Sequence, residues 1–320
     1  LGKHSVEPFF RLTGPVRAGK LKETSLEFFG CTEEKSMETY QAEVLVNERF
    51  HLSEGPVWDA ETGVLHFVDI KGCTVNTYRL SDGQRTSTEV NQNVGCFALR
   101  RQGGYILGLT AGVYLRSEDG RRIEKLPEPD YDPMTRSNDG KCDPQGRFWC
   151  GTSDLVKGEK RGKLYLLPGD GRCIEMLDRL EISNGLGFAG DTLYFIDSAR
   201  HSVDSYRLDE DTLTLHDHRV IAPIEGNMVP DGMTMDEEGM LWVCHWGGGF
   251  VGRYDPRDGR LLARVEIPAS QCSSCCFGGP DMQTLFITCG AVNCPEESEA
   301  GKVFAVHLPY RGVESWKYRG

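Results

Sequence analysis

No apolar run in the 320 residues approaches the roughly 18 to 20 needed to cross a bilayer as a helix, so no membrane-spanning helix is expected. Positive charge is scarce: 36 Lys and Arg stand against 48 Asp and Glu, a formal charge of -12, with no basic cluster to compensate locally. Such a surface repels phosphate backbones and argues against a nucleic-acid partner. Cysteine, at 12 residues, is too sparse for a disulfide scaffold and too dispersed for a zinc finger. Its one close cluster, Cys272-Ser273-Ser274-Cys275-Cys276, has no second pair or His at ligand spacing, so buried free thiols in a cytoplasmic, reducing setting are expected. There is no long amphipathic helix, no Gly-x-Ser-x-Gly elbow and no Walker sequence. Trp246-Gly247-Gly248-Gly249 lacks the following helix that a phosphate cradle needs. The chain opens on Leu1, as in a trimmed or processed product, and the segment to about Met37 has no apolar signal core.

What is present is a repeat. The 38 Gly and 15 Pro serve as turn punctuation, and a short apolar run, an Asp/Gly turn and a second apolar run recur six times. The copies open at Gly55-Pro56-Val57-Trp58, Phe97-Ala98-Leu99, Gly140-Lys141-Cys142, Gly185-Leu186-Gly187-Phe188, Gly232-Met233-Thr234-Met235 and Cys275-Cys276-Phe277-Gly278. Their spacing of about 40 to 48 residues suits four short antiparallel strands per unit. A unit of that size cannot bury both faces alone, so the units must stack radially. The expectation is an all-β chain, a six-bladed β-propeller over residues 41–320 with one metal site at the mouth of its central channel. Residues 1–40 form an extension, partly flexible or closing the last blade. A β-sandwich would not give six evenly spaced hairpins.

The innermost strand of each blade lines the channel, so the residues just before the opening glycines should share one rim. They are Glu54, Asn138 and Asp139, Asn184, and Asp231. Asn-Gly and Asp-Gly are also ordinary turn dipeptides, but side-chain oxygens at one position in four blades point to a site. Glu54, Asn184 and Asp231 offer two carboxylates and an amide oxygen, a hard-cation set that favours Ca²⁺, with Mg²⁺, Mn²⁺ or Zn²⁺ as alternatives. A cation held by three protein ligands keeps positions for water and substrate, polarises an ester or lactone carbonyl and makes a water more acidic. Asp231 can combine ligation with general-base duty. Arg136 lies two residues before Asn138, so on a strand both side chains face one way and can bind a polar substrate. His245 and Trp246 are expected to be packed, and Asp69 and Asp197 to accept hydrogen bonds from turns within their blades.

On these residues the sequence resembles the regucalcin (senescence marker protein)/gluconolactonase/luciferin-regenerating enzyme family. The stretches that carry the resemblance are Ser53-Glu54-Gly55-Pro56-Val57-Trp58, Arg136-Ser137-Asn138-Asp139-Gly140-Lys141, Ile182-Ser183-Asn184-Gly185-Leu186, Tyr194-Phe195-Ile196-Asp197-Ser198, Pro230-Asp231-Gly232-Met233 and Ser273-Ser274-Cys275-Cys276-Phe277-Gly278-Gly279. The resemblance implies a propeller with one divalent cation held by Glu54, Asn184 and Asp231, the last also acid/base, with Arg136 and Asn138 on the substrate. It implies hydrolysis of sugar lactones such as gluconolactone by attack of a cation-activated water. The loop Asp154-Leu155-Val156-Lys157-Gly158-Glu159 departs from the pattern, so no acidic substrate contact is assigned there. Two rivals use the same residues: a non-enzymatic calcium-binding or calcium-regulating propeller, and a hydrolase of an organophosphate or luciferin-related substrate. A small-molecule lactone as partner and a monomer or weak dimer complete the expectation.

Overall fold

Short runs rich in β-branched and aromatic residues, broken by Asp/Gly turns, extend as strands, most of them five to eight residues long, and bury one row against the next blade. In Val64–Asp69, for example, Leu65, Phe67 and Val68 are wholly inside. The computed structural model describes residues 37–127 and 132–320, and within them the strands form six sheets of antiparallel core. In chain order the innermost strands are Ser53–Asp59, Val94–Leu99, Thr135–Cys142, Ser183–Ala189, Val229–Met235 and Cys272–Gly278. They define blades one to six of the expected propeller.

The last blade takes its outermost strand from the opposite end of the chain. Glu43–Val46 pairs antiparallel with Val303–His307, so the ring is closed by hydrogen bonds between the first and last parts of the propeller. Just upstream, Glu38–Gln41 lies parallel to Leu261–Glu266 and adds a fifth strand to blade five. Of the extension expected over 1–40, residues 1–36 lie outside the described residues.

Between blades the core is aromatic and aliphatic, with Trp149, Trp242, Phe67, Phe195 and Phe286 among its largest buried side chains. Cys272, Cys275 and Cys276 are buried free thiols on the sixth inner strand, as expected. Two blades carry the same polar anchor. In blade three Asp143 accepts from the Trp149 indole and pairs with Arg147; in blade five Asp236 accepts from the Trp242 indole and pairs with Arg253. The C-terminal segment runs across the trailing ends of the inner strands. Val313 donates to Met235 O of blade five, Tyr318 to Leu99 O of blade two and Arg319 to Gly146 O of blade three. Val313, Glu314, Ser315 and Trp316 thereby line the lower channel, where a cavity also touches Phe97, Lys141 and Phe188.

Candidate active site at the channel rim

The inner strands do not start at the glycines. Each runs on upstream through the preceding residue, and all six shift register there: between Glu54 and Val57, Val94 and Cys96, Ser137 and Gly140, Asn184 and Leu186, Pro230 and Met233, and Cys272 and Ser274. A bulge releases a residue from the ladder and re-aims its side chain. Six register shifts at the same place in each blade account for a ring of re-aimed side chains on otherwise regular strands. The glycines that follow allow close approach: a Cβ on Gly185 would stand 2.7 Å from the Asp231 carbonyl oxygen of the next inner strand. Gly55, at φ 48°, also takes a conformation that other residues rarely adopt.

Asp69 and Asp197 end the second strands of blades one and four and fix the entry to the inner strand beside them. Asp69 accepts from the backbone N–H of His51 and Leu52 at 3.0 Å, and Asp197 from Ile182 at 3.0 Å and Glu181 at 3.3 Å. Each thereby holds the chain two or three residues ahead of a rim residue, Glu54 or Asn184. His245 is fully buried, stacked on Phe250 and bonded to the Tyr254 hydroxyl, while Trp246 is half-buried.

Arg136, Asn138 and Asn184 are brought together. Arg136 Nη1 donates to Asn138 Oδ1 at 2.7 Å, and Asn138 Nδ2 donates to Asn184 Oδ1 at 2.9 Å and to Ser183 O at 2.8 Å. Asn184 Nδ2 donates to Ser198 Oγ at 2.7 Å, and that hydroxyl donates to Pro230 O at 2.6 Å. Ser198, at the start of a 3₁₀ turn, lies in the matching stretch Tyr194-Phe195-Ile196-Asp197-Ser198 but has no role assigned in the sequence, where a serine after a strand-ending aspartate reads as an ordinary turn residue.

Glu54, Asp139 and Asp231 form the acidic part of the rim and are 8, 6 and 7% exposed. Each accepts from the N–H of the glycine that follows it. Among the described residues none of the three forms an ion pair with Lys or Arg. Burial, followed by the charge of Asp139, pushes the Glu54 carboxyl up to about 8, against a weaker pull from Arg136. Burial also raises Asp139, and burial together with the charges of Glu54 and Asp139 raises Asp231 well above the carboxylate range. In the sequence pattern Asn138 has a role and Asp139 has none. The bulge between Ser137 and Gly140 spans both residues, so Asn138 meets Asn184 while Asp139 joins the carboxylates.

Among the described residues no three His, Cys, Asp or Glu side chains are gathered closely enough to hold a metal ion by themselves. The rim set is mixed, carboxylates with an amide oxygen, and its electrostatics suit a cation. Burial raises all three carboxylates, with the charge of Asp139 adding to it at Glu54 and the charges of Glu54 and Asp139 at Asp231; a divalent ion relieves such a site, and an all-oxygen set suits a hard one. Lys141, whose ammonium lowers Asp139, supplies a further positive charge in the channel below.

Residues 52–291 match the family model described as SMP-30/Gluconolactonase/LRE-like region. The chain is 35% identical to regucalcin of Xenopus laevis over 299 residues, covering 89% of this chain and all of that one. Its fold superimposes on a calcium-binding protein, regucalcin, from Agrobacterium tumefaciens with a TM-score of 0.83 at 25% identity, covering 88% of this chain and 99% of the other. A gluconolactonase of Xanthomonas campestris, 24% identical, shares the fold with a TM-score of 0.69 over 83% of this chain and 89% of its own.

Proposed function

Because the chain belongs to the SMP-30/gluconolactonase/LRE-like family, we propose that it is a lactonase-type hydrolase that works with one divalent cation, calcium first, at the channel rim. Glu54, Asn184 and Asp231 would hold the ion. Bound there, it would polarise a lactone carbonyl and raise the acidity of a water. The rest falls to the protein's own groups. Arg136 presents a fixed guanidinium fork to ring hydroxyls or to the carboxylate that ring opening creates. Asn138, held between Arg136 and Asn184, orients the same substrate. Asp231 takes a proton from the attacking water and returns it to the leaving alkoxide oxygen, so the lactone C–O bond breaks as the acid and alcohol form. Burial and the charges of Glu54 and Asp139 favour the protonated form of Asp231, and a bound cation would favour the carboxylate that a base requires.

The observation that carries this reading is three buried carboxylates, all raised by burial, beside a guanidinium–amide pair at one end of the channel. A calcium-binding role without turnover draws on the same ligands, and the Agrobacterium relative is named a calcium-binding protein. Arg136 separates the two. Arg136→Gln should lower kcat/KM for gluconolactone at least tenfold in the lactonase and leave a pure calcium-binding protein unaffected. Unchanged kcat/KM in that variant would remove Arg136 from the substrate, and no turnover of any lactone by the wild type would favour calcium binding alone.

A further inference from the structure

The hydrogen-bonded chain from Arg136 to Pro230 has donors and acceptors that can be arranged in one way only. A guanidinium has no acceptor, so the Asn138 atom facing it must be Oδ1. Asn138 then presents Nδ2 to Asn184, whose facing atom must be Oδ1. Asn184 presents Nδ2 to Ser198, whose oxygen must accept and whose proton must go elsewhere. It goes to Pro230 O, a backbone carbonyl that only accepts. Both ends are therefore fixed, one as a pure donor and the other as a pure acceptor, and the three side chains between them, Asn138, Asn184 and Ser198, inherit their orientation. All but Arg136 are at most 8% exposed, so water cannot readily substitute for a missing member.

From this we infer that Ser198 is a positioning residue: it keeps the Asn184 amide turned so that the oxygen, not the nitrogen, faces the rim. The inference rests on the proposed role of Asn184 as a cation ligand. An amide turned by half a revolution would offer two N–H groups where a cation needs an oxygen, and nothing in the shape of the side chain prevents it. Asn138 guards the oxygen side and Ser198 the nitrogen side. Ser198 does a second thing with the same hydroxyl. Its donation to Pro230 O fixes the peptide immediately before Asp231, so one residue ties the amide of blade four to the carboxylate of blade five.

A double-mutant cycle on cation binding, read by calorimetric titration of Ca²⁺ into metal-stripped protein, tests this without relying on turnover. Ser198→Ala should weaken Ca²⁺ binding roughly 10- to 100-fold, the usual scale for loss of a group that orients a ligand. In the Asn184→Asp background both terminal atoms are oxygens and there is no wrong face. There the same Ser198→Ala change should cost at most about threefold. A role of Ser198 confined to general stability predicts equal losses in the two backgrounds, and that result, or no loss in either, would overturn the inference. Cation-free melting temperatures of all four proteins establish that each is folded. Failure of the wild type to bind Ca²⁺, Mn²⁺, Mg²⁺ or Zn²⁺ would overturn the cation reading itself and this inference with it. Binding by the wild type with equal losses would overturn the role of Ser198 alone.

Discussion

At the scale of single residues, the rim is built against its own stability. A carboxyl whose pKa is raised in the folded state binds protons more tightly there than in the unfolded chain. Its stabilising effect is complete below the unfolded value and is lost as pH rises through the folded one. For Glu54 that window runs from about 4.5 to about 8, and Asp139 and Asp231 shift in the same direction. Metal-stripped protein should therefore lose thermal stability between pH 5 and pH 8, and saturating Ca²⁺ should cancel most of the loss; parallel melting curves with and without Ca²⁺ at both pH values check it. Asp231→Asn removes one of the repelling charges while nearly preserving shape. It should raise cation-free stability by about 1–3 kcal/mol at pH 8, abolish lactone turnover and blunt the Ca²⁺ response. Lower stability in that variant would mean that the charge is balanced in a way the rim does not show. This scale is also where the sequence was least complete. Glu54, Asn184 and Asp231 could be picked out because each precedes a glycine at the same place in its repeat. Asp139 was seen but given no task, because a bulge that frees two neighbouring residues cannot be read from a dipeptide. Ser198 stands in a matching stretch of the sequence without a role, since its importance comes from Asn184 and Pro230, neither of them a neighbour in sequence.

At the scale of elements, the blade is a period that hydrophobic alternation and turn glycines write clearly, and its order along the chain follows. The starting points of the inner strands were placed too late, at the glycine, because a glycine reads as a strand boundary and here it marks a bulge within the strand. The anchors that hold inner strands to their neighbours are polar. Asp236 joins the Trp242 indole to the Arg253 guanidinium in a nearly dry position, with side chains 1% and 6% exposed for Asp236 and Arg253. Asp236→Ala leaves the buried Trp242 N–H without its acceptor and the buried Arg253 with Glu238 as its one remaining carboxylate, a loss of about 3–5 kcal/mol. Chemical denaturation should show a lower midpoint with an unchanged slope. A loss under about 1 kcal/mol would mean that Glu238, which also meets Arg253, carries the anchor instead.

At the scale of the whole molecule, a ring is only as strong as its seam. Glu43–Val46 on Val303–His307 closes it at the perimeter, and the C-terminal segment ties blades five, two and three across the lower end of the channel. Val46 is 2% exposed and pairs with Val303. Val46→Asp buries a charge in that seam and should destabilise the protein by about 3 kcal/mol or more, lowering the melting temperature; an unchanged melt would show that the seam contributes little. The channel that this closure creates gathers oxygens from several blades in one buried place, where burial raises the carboxylates among them. The most direct test of that account is proton release from gluconolactone by metal-stripped protein titrated with Ca²⁺, Mn²⁺, Mg²⁺ and Zn²⁺. Saturable hydrolysis restored by a divalent ion and absent in Asp231→Ala is the predicted result. Full turnover in the stripped protein, or in Asp231→Ala, would contradict it.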